Sequence, residues 1–319
     1  MKYRPPKFDK LSDMAAIDVG RLTEDEARMM LEQIRWPEGS VCPVCQSKDI
    51  TRIEARSEKV RDGLLQCRDC YKQFTVTLGT VMQGSHITLR QWVQAFHSMS
   101  AHKKGVSALQ LQRDLGLHSY NSAWHLAHRI RLAMQTDPIA SALKGVVEVD
   151  ETYVGGKPRK GDGKEHKRGR GTSKAPVMVL VERKGQAVSK PIERVNAETL
   201  KGAIREMVDK KSTIMTDEWE SYQGIGSEFQ GGHQTVKHNE NEFVRGNVHT
   251  NTAESYFALL KRGVHGTFHH ISKTHLKRYC DEFSFRWNHR KVADGERATE
   301  AIKGMVGKSL SYKNLVGRN

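Results

Sequence analysis

Val146-Val-Glu-Val-Asp150-Glu-Thr-Tyr-Val-Gly-Gly156 decides the fold of this chain. Valines alternating with acids mark a strand with one buried face, and the stretch closes on a carboxylate and then a glycine pair. A second run, Thr213-Ile-Met-Thr-Asp217, repeats the device, and Val177 to Glu182 supplies a further strand. Helical periodicity over about 197–210, 252–262 and 273–288 is interleaved with these strands. Strands alternating with helices predict an α/β domain over residues 144–292, with a mixed central sheet flanked by helices.

A carboxylate at a strand end is held rigidly while its side chain is free to leave the sheet. Asp150 and Asp217 both occupy such ends, and Glu254 falls in the first turn of a helix whose apolar stripe is Ala253, Tyr256, Phe257 and Leu260. If the strands are neighbours, the three can hold two Mg²⁺ or Mn²⁺ ions, hard cations that prefer oxygen and keep waters that can be activated. One ion would activate a water or a 3′-hydroxyl, and the other would stabilise the leaving 3′-oxygen. Lys261, seven residues after Glu254, returns to the same helix face and is placed to meet a DNA backbone. Each acid alone reads equally as a solvated loop or cap residue. Glu148, Glu151, Glu218 and Glu220 show how many carboxylates are at hand.

Upstream, Cys42-Pro-Val-Cys45 and Cys67-Arg-Asp-Cys70 are two C-x-x-C turns separated by 21 residues. Two residues between thiols let both sulfurs reach one tetrahedral ion, so residues 39–80 are expected to form a zinc ribbon. Rubredoxin-like iron and a redox pair are the alternatives. A four-thiolate site has no open position and should be structural. The remaining cysteine, Cys280, lies in the helical stripe Leu276, Tyr279, Phe283 and Trp287 and reads as a core thiol.

Thr23 with Glu26 and Thr88 with Gln91 are capping boxes ahead of two helices. The first lies in an N-terminal helical segment, residues 1–38. The second opens a helical region over 86–136. There, Ser107 to Leu115, Gly116 and the helix from Asn121 onward suit a helix-turn-helix, though an ordinary helical hairpin has the same pattern. The second helix would bury Ala123, Leu126, Ala127, Ile130 and Met134. It would offer Ser119, Tyr120, Asn121, Ser122 and His125 to base edges, with Arg129 also outward. Gly155 to Lys174 holds eight Lys or Arg and six Gly, so the basic loop 155–174 is expected to be mobile. Its Lys157, Arg159, Lys160, Lys167, Arg168 and Arg170 are candidates for DNA-backbone contact. Residues 293–319 read as a C-terminal tail.

With 52 Lys and Arg against 37 Asp and Glu, a net charge of +15 favours a polyanionic partner. No apolar run approaches the ~20 residues of a membrane span, and the first ten residues lack a signal peptide's apolar segment. No membrane association and a cytoplasmic, nucleoid-associated protein are expected.

These stretches, with Val149-Asp-Glu-Thr-Tyr-Val-Gly-Gly-Lys157, Thr216-Asp-Glu-Trp219 continuing to Tyr222, and His249-Thr-Asn-Thr-Ala-Glu-Ser-Tyr-Phe-Ala-Leu-Leu-Lys-Arg-Gly263 followed by Gly266-Thr-Phe-His-His270, carry a family resemblance. The chain resembles bacterial insertion-sequence transposases of the zinc-ribbon plus ISXO2-like group, the IS1595 family. The resemblance spans about residues 25–292. It implies an RNase H-like catalytic fold and a DDE-type active site, with Asp150, Asp217 and Lys261 at matching positions. For the third position it leaves Asn251 beside Glu254, because some members carry Asn there. Glu254 is favoured, since a carboxylate binds Mg²⁺ better than an amide. Nicking at the element's ends, strand transfer into target DNA, and recognition of terminal inverted repeats by a homodimer or higher oligomer would follow. A non-catalytic DNA-binding regulator and an RNase H-like structure-specific nuclease are the rival readings.

Overall fold

The computed structural model describes residues 10–54, 62–135, 142–155, 172, 174–236 and 244–317. The chain forms two compact units, one of residues up to Met134 together with those from Lys291 onward, the other of Gln135–Arg290.

The first unit begins with α1 (Ala16–Gly20) and α2 (Glu24–Arg35). Thr23 Oγ1 accepts from the Glu26 N–H, and Glu26 returns a 2.8 Å bond to the Thr23 N–H, so the expected capping box forms. Strands β1 (Ile50–Arg52), β2 (Leu65–Cys67) and β3 (Gln73–Phe74) make a three-stranded antiparallel sheet in that order. Its core is only Cys42, Leu65, Cys67 and Phe74, with Trp36, Ile50 and Leu78 packed against it. A cluster this small needs a staple. Three helices follow, α3 (Leu89–Ala101), α4 (Ala108–Asp114) and α5 (Tyr120–Ala133). Gly116 takes φ +62° between the last two, the left-handed turn its position calls for.

The second unit is built on a five-stranded sheet. In chain order its strands are β4 (Val146–Val154), β5 (Ala175–Glu182), β6 (Ala187–Pro191), β7 (Thr213–Asp217) and β8 (His233–Val236). In space the order is β6-β5-β4-β7-β8, antiparallel from β6 to β4 and parallel from β4 to β8. Helix α6 (Ala197–Met207) covers one face, where Val147, Val149, Leu180 and Ile214 meet Leu200, Ile204 and Met207. Helices α7 (Asn251–Gly263) and α8 (Leu276–Asn288) cover the other, where Val154, Val177, Val179 and Val181 meet Ala253, Tyr256, Phe257 and Phe283. Each such side chain, fully buried, contributes about 1.5–3 kcal/mol. Cys280 lies within this second core.

Residues 293–319 are not a tail. They fold into α9 (Asp294–Lys303) and α10 (Tyr312–Val316) and complete the first unit. Ala298, Ala301, Ile302 and Met305 are fully buried, α9 packs on α3, and the Val81 N–H donates to the Met305 carbonyl at 3.1 Å. Gly304 lies so close to the Ala133 carbonyl that a Cβ would collide with it. Apart from Ile302, the apolar residues of α9 are the small Ala298 and Ala301, so its periodicity is faint in the sequence. No helix among the described residues is long and apolar enough to cross a membrane.

Candidate functional site

The two C-x-x-C turns repeat one backbone pattern. The Cys42 N–H donates to the Ser47 carbonyl at 2.9 Å, and the Cys67 N–H to the Lys72 carbonyl at 3.0 Å. Gln46 and Tyr71, at equivalent points after the second cysteine of each turn, take φ +63° and +59°. The turns face each other with Sγ–Sγ distances of 3.6 Å for Cys42–Cys70 and 3.5 Å for Cys45–Cys67. All four sulfurs lie within 4.8 Å of one another. A tetrahedral zinc with ~2.3 Å bonds requires sulfurs about 3.8 Å apart, so the residues fit the ion. Backbone amides favour thiolate here. Burial pushes Cys42 up, but the N–H groups of Cys45 and Val44, with the neighbouring Cys45 and Cys70 thiols, outweigh it and hold the thiol at about 7. The Cys70 N–H lowers Cys67 in the same way, against burial. The thiol contacts that lower Cys42 help push Cys45 up to about 12 and raise Cys70.

At the start of α5, Ser119 accepts from the Ser122 N–H at 3.1 Å, and Tyr120, Asn121 and Ser122 are exposed. Two residues expected on this surface are elsewhere. Arg129 is buried, donating to the Gln83 carbonyl with its guanidinium 5.5 Å from the Trp92 ring. His125 Nε2 lies 2.8 Å from the Leu310 carbonyl, and its ring packs on Tyr312 of α10 at 5.6 Å. Arg129 is therefore a packing residue, and His125 is engaged by the C-terminal segment. His128 and Arg131 are buried as well. The reason is shared: α5 is covered on more sides than an amphipathic helix of a hairpin would be. Lys157, Arg159, Lys160, Lys167, Arg168 and Arg170 lie outside the described residues.

In the second unit, strands β4 and β7 pair in parallel through Val146–Thr213, Val147–Ile214 and Glu148–Met215. Two residues further along the same register, Asp150 and Asp217 stand abreast where the β4–β7 pairing ends. Asp217 closes β7, but Asp150 is not the strand end expected, because β4 runs on to Val154 along its β5 partner and Asp150 pairs with Val179. Alternation puts Asp150 on the sheet face of Glu148 and Val154, and Asp217 on that of Met215, which is the α7 face. Glu254 lies in the first turn of α7, exposed beside the buried Ala253 and Tyr256. Lys261 is exposed two turns on, its Nζ 5.9 Å from the Phe257 ring. Asn251 is the first residue of the helix and is also exposed.

Electrostatics tie the carboxylates together. Asp150 is pushed up to about 8 by burial first, then by the charge of Glu151, with Asp217 and Glu254 adding to it. The Glu151 N–H, 2.7 Å from Asp150 Oδ1, opposes the shift. Among the described residues only the four cysteines bring three or more ligand atoms within 4.8 Å of one another. Asp150, Asp217 and Glu254 share a surface without closing to that distance. The chemistry of this donor set nonetheless suits a hard divalent cation. The charges that raise Asp150 are those of three neighbouring acids, Glu151, Asp217 and Glu254.

Two residues of this region, Glu148 and Arg183, gave no functional signal in the sequence, and Tyr222 entered only as the end of the family-matching stretch from Thr216. Glu148 is completely buried and accepts from the Thr252 and Ala253 N–H groups at 2.7 and 3.1 Å, at the start of α7. Arg183, at the end of β5, donates to it at 2.6 Å. Tyr222 is buried and donates to Glu151 Oε2 at 2.7 Å, which turns that acid away from Asp150 to the opposite face of the sheet. The only available hint was a glutamate placed inside a valine run, where a buried carboxylate requires partners.

One unit thus carries a four-cysteine ribbon, and the other two aspartates on neighbouring parallel strands; comparison with known proteins makes the chain a transposase. Residues 22–73 match a transposase zinc-ribbon domain, and residues 142–288 match the ISXO2-like transposase domain. An uncharacterized protein in transposable element ISH50 of Halobacterium salinarum is 30% identical over 276 residues, covering 83% of this chain and 91% of the relative. The chain belongs to the IS1595 family of insertion-sequence transposases.

Proposed function

We propose that the protein nicks DNA at the ends of its own insertion sequence and joins the freed 3′-hydroxyl to target DNA. One observation carries this reading: Asp150 and Asp217 stand abreast on the α7 face, with Glu254 near enough to raise the proton affinity of Asp150. Asp150, Asp217 and Glu254 would hold Mg²⁺ or Mn²⁺. Bound there, the ions would lower the pKa of an attacking water or hydroxyl and neutralise the leaving 3′-oxygen. The strands keep two ligands immobile, and Lys261 faces the DNA backbone from the same helix as Glu254. A sheet with three antiparallel strands followed by two parallel ones, and a carboxylate-bearing helix across its face, supports an RNase H-like arrangement. The zinc ribbon and a helix-turn-helix made of α4 and α5 would bind the terminal inverted repeats, with Ser119, Tyr120, Asn121 and Ser122 toward the bases. Joining two ends calls for at least two copies on DNA.

The test is a cleavage and strand-transfer assay on end-containing duplex with Mg²⁺ or Mn²⁺. Wild type should cut and join, and Asp150→Ala should do neither while still binding. Equal inactivity of both, with binding retained, would make the chain a regulator. Cutting of branched DNA without joining would make it a structure-specific nuclease. Glu254→Ala should lose activity and Asn251→Ala retain most of it; the reverse would give the third position to Asn251.

A further inference from the structure

We propose that Glu148 and Arg183 are positioning residues that set where the third carboxylate stands relative to Asp150 and Asp217. This rests on the reading of Asp150, Asp217 and Glu254 as metal ligands.

Thr250, at the N-cap position of α7, makes no side-chain bond to the first turn, and the local contact there is a long 3.4 Å bond from the Asn251 N–H to His249 Nδ1. A strand residue caps the helix from 104 positions earlier. Besides the Thr252 and Ala253 N–H groups, Glu148 accepts from Thr252 Oγ1 at 2.9 Å. A carboxylate at a helix N-terminus meets unpaired N–H groups and the positive end of the helix dipole, so the bond is strong and directional.

Arg183 widens the contact into a clasp. Its Nε donates to Glu148 Oε1 at 2.6 Å, Nη1 to the Asn247 carbonyl at 2.5 Å, and Nη2 to the His249 carbonyl at 2.9 Å. Nη2 also lies 2.9 Å from Met215 Sδ. His249 turns its Nδ1 inward, 3.3 Å from Glu148 Oε1, so this histidine belongs to the clasp. The contacts fall just beneath the candidate ligands. Glu148 lies two residues before Asp150, Met215 two before Asp217, and Thr252 two before Glu254, each pair on one element. A single layer of contacts around the buried Glu148 thus references the roots of all three carboxylates to one another. They come from two strands and a helix, so nothing local fixes their spacing.

Substitutions of groups bonded directly to metal ligands typically cost 10–100-fold in metal affinity or activity. Glu148 and Arg183 act one step behind, through Thr252 and Ala253, so the lower end applies. The experiment uses the full zinc-loaded chain and reads Mn²⁺ binding by electron paramagnetic resonance, alongside cleavage rate against Mn²⁺ concentration. Glu148→Gln and Arg183→Lys should each weaken Mn²⁺ binding about tenfold. Half-maximal cleavage should move to higher Mn²⁺ by the same factor, while end-duplex affinity is unchanged. Thr252→Val removes only one hydroxyl bond, keeps the fold safe, and should shift binding two- to threefold in the same direction, roughly the effect of one such bond. A merely structural role would lower the active fraction and leave Mn²⁺ affinity unmoved in all three variants. That result overturns the proposal. Wild-type Mn²⁺ binding that survives Asp150→Ala would instead sink the reading on which it rests.

Discussion

The cysteine cluster and the carboxylate surface of this molecule are built in opposite ways. The cysteine cluster is assembled by two short turns of the same shape, each with its own amide donors, and its sulfurs already stand at zinc spacing. The carboxylate surface is assembled from two strands and a helix far apart in the chain, and its oxygens stay looser. Local amides favour thiolate in the cysteine turns, whereas neighbouring acids raise the proton affinity of Asp150. A closed, self-sufficient site suits structure. An open one suits a centre where cations, water and phosphate must come and go.

The contrast can be broken at several strengths. Replacing Cys42 and Cys45 by Ser should remove the larger contribution, a structural zinc worth on the order of 10 kcal/mol. Elemental analysis should show the metal gone, and amides of residues 42–74 should lose exchange protection while the second unit keeps its own. Metal retained at full stoichiometry would refute the ribbon as the zinc site. Next, Asp150→Asn should cut cleavage roughly a thousandfold, equivalent to several kcal/mol of transition-state stabilisation.

The same variant should behave differently in folding. Asp150 is held at about 8, above its ordinary value of 3.8, so the folded chain retains a proton that the unfolded chain releases. Its contribution to stability is complete below pH 4 and is lost as pH rises toward 8. Without divalent ions, Asp150→Asn should therefore melt higher than wild type at pH 8, with the gap closing by pH 4. Added Mg²⁺ should raise the wild-type melting temperature at pH 8 and not that of the variant. No gap at any pH would mean that the carboxylates do not strain the site. The smallest effect belongs to the zinc turns. Tyr71 is 75% exposed and sits at φ +59°, so Tyr71→Gly should stabilise the ribbon by about 0.5–1 kcal/mol, measured as a higher melting temperature with zinc bound.

Those effects fall where the sequence is most and least readable. Cys42, Cys45, Cys67 and Cys70 declare themselves because their partners are two residues away. Asp150 and Asp217 are nearly as plain, since each ends a β-branched run. Strands β6 and β8 pass unseen: Ala-Val-Ser-Lys-Pro and His-Gln-Thr-Val are short, partly polar edge strands that carry no alternation of their own. The clasp is invisible for a different reason. Glu148 looks like one more acid until the fold brings Thr252 and Arg183 to it, and a contact across 104 residues leaves no mark in local spacing. Arg129 misleads because charge suggests solvent, whereas its guanidinium packs on Trp92 and reaches a carbonyl that the helix pattern does not reveal.

The return of the chain's last stretch to the helical unit has a consequence for synthesis. Val81 pairs with Met305, and α9 packs on α3, so that unit cannot close until residues beyond 290 leave the ribosome. At ~5–20 residues per second, α3 waits on the order of ten seconds for its partner, while the carboxylate-bearing unit is translated in between. A message cut short before residue 291 would yield a product whose helical unit lacks its closing helices.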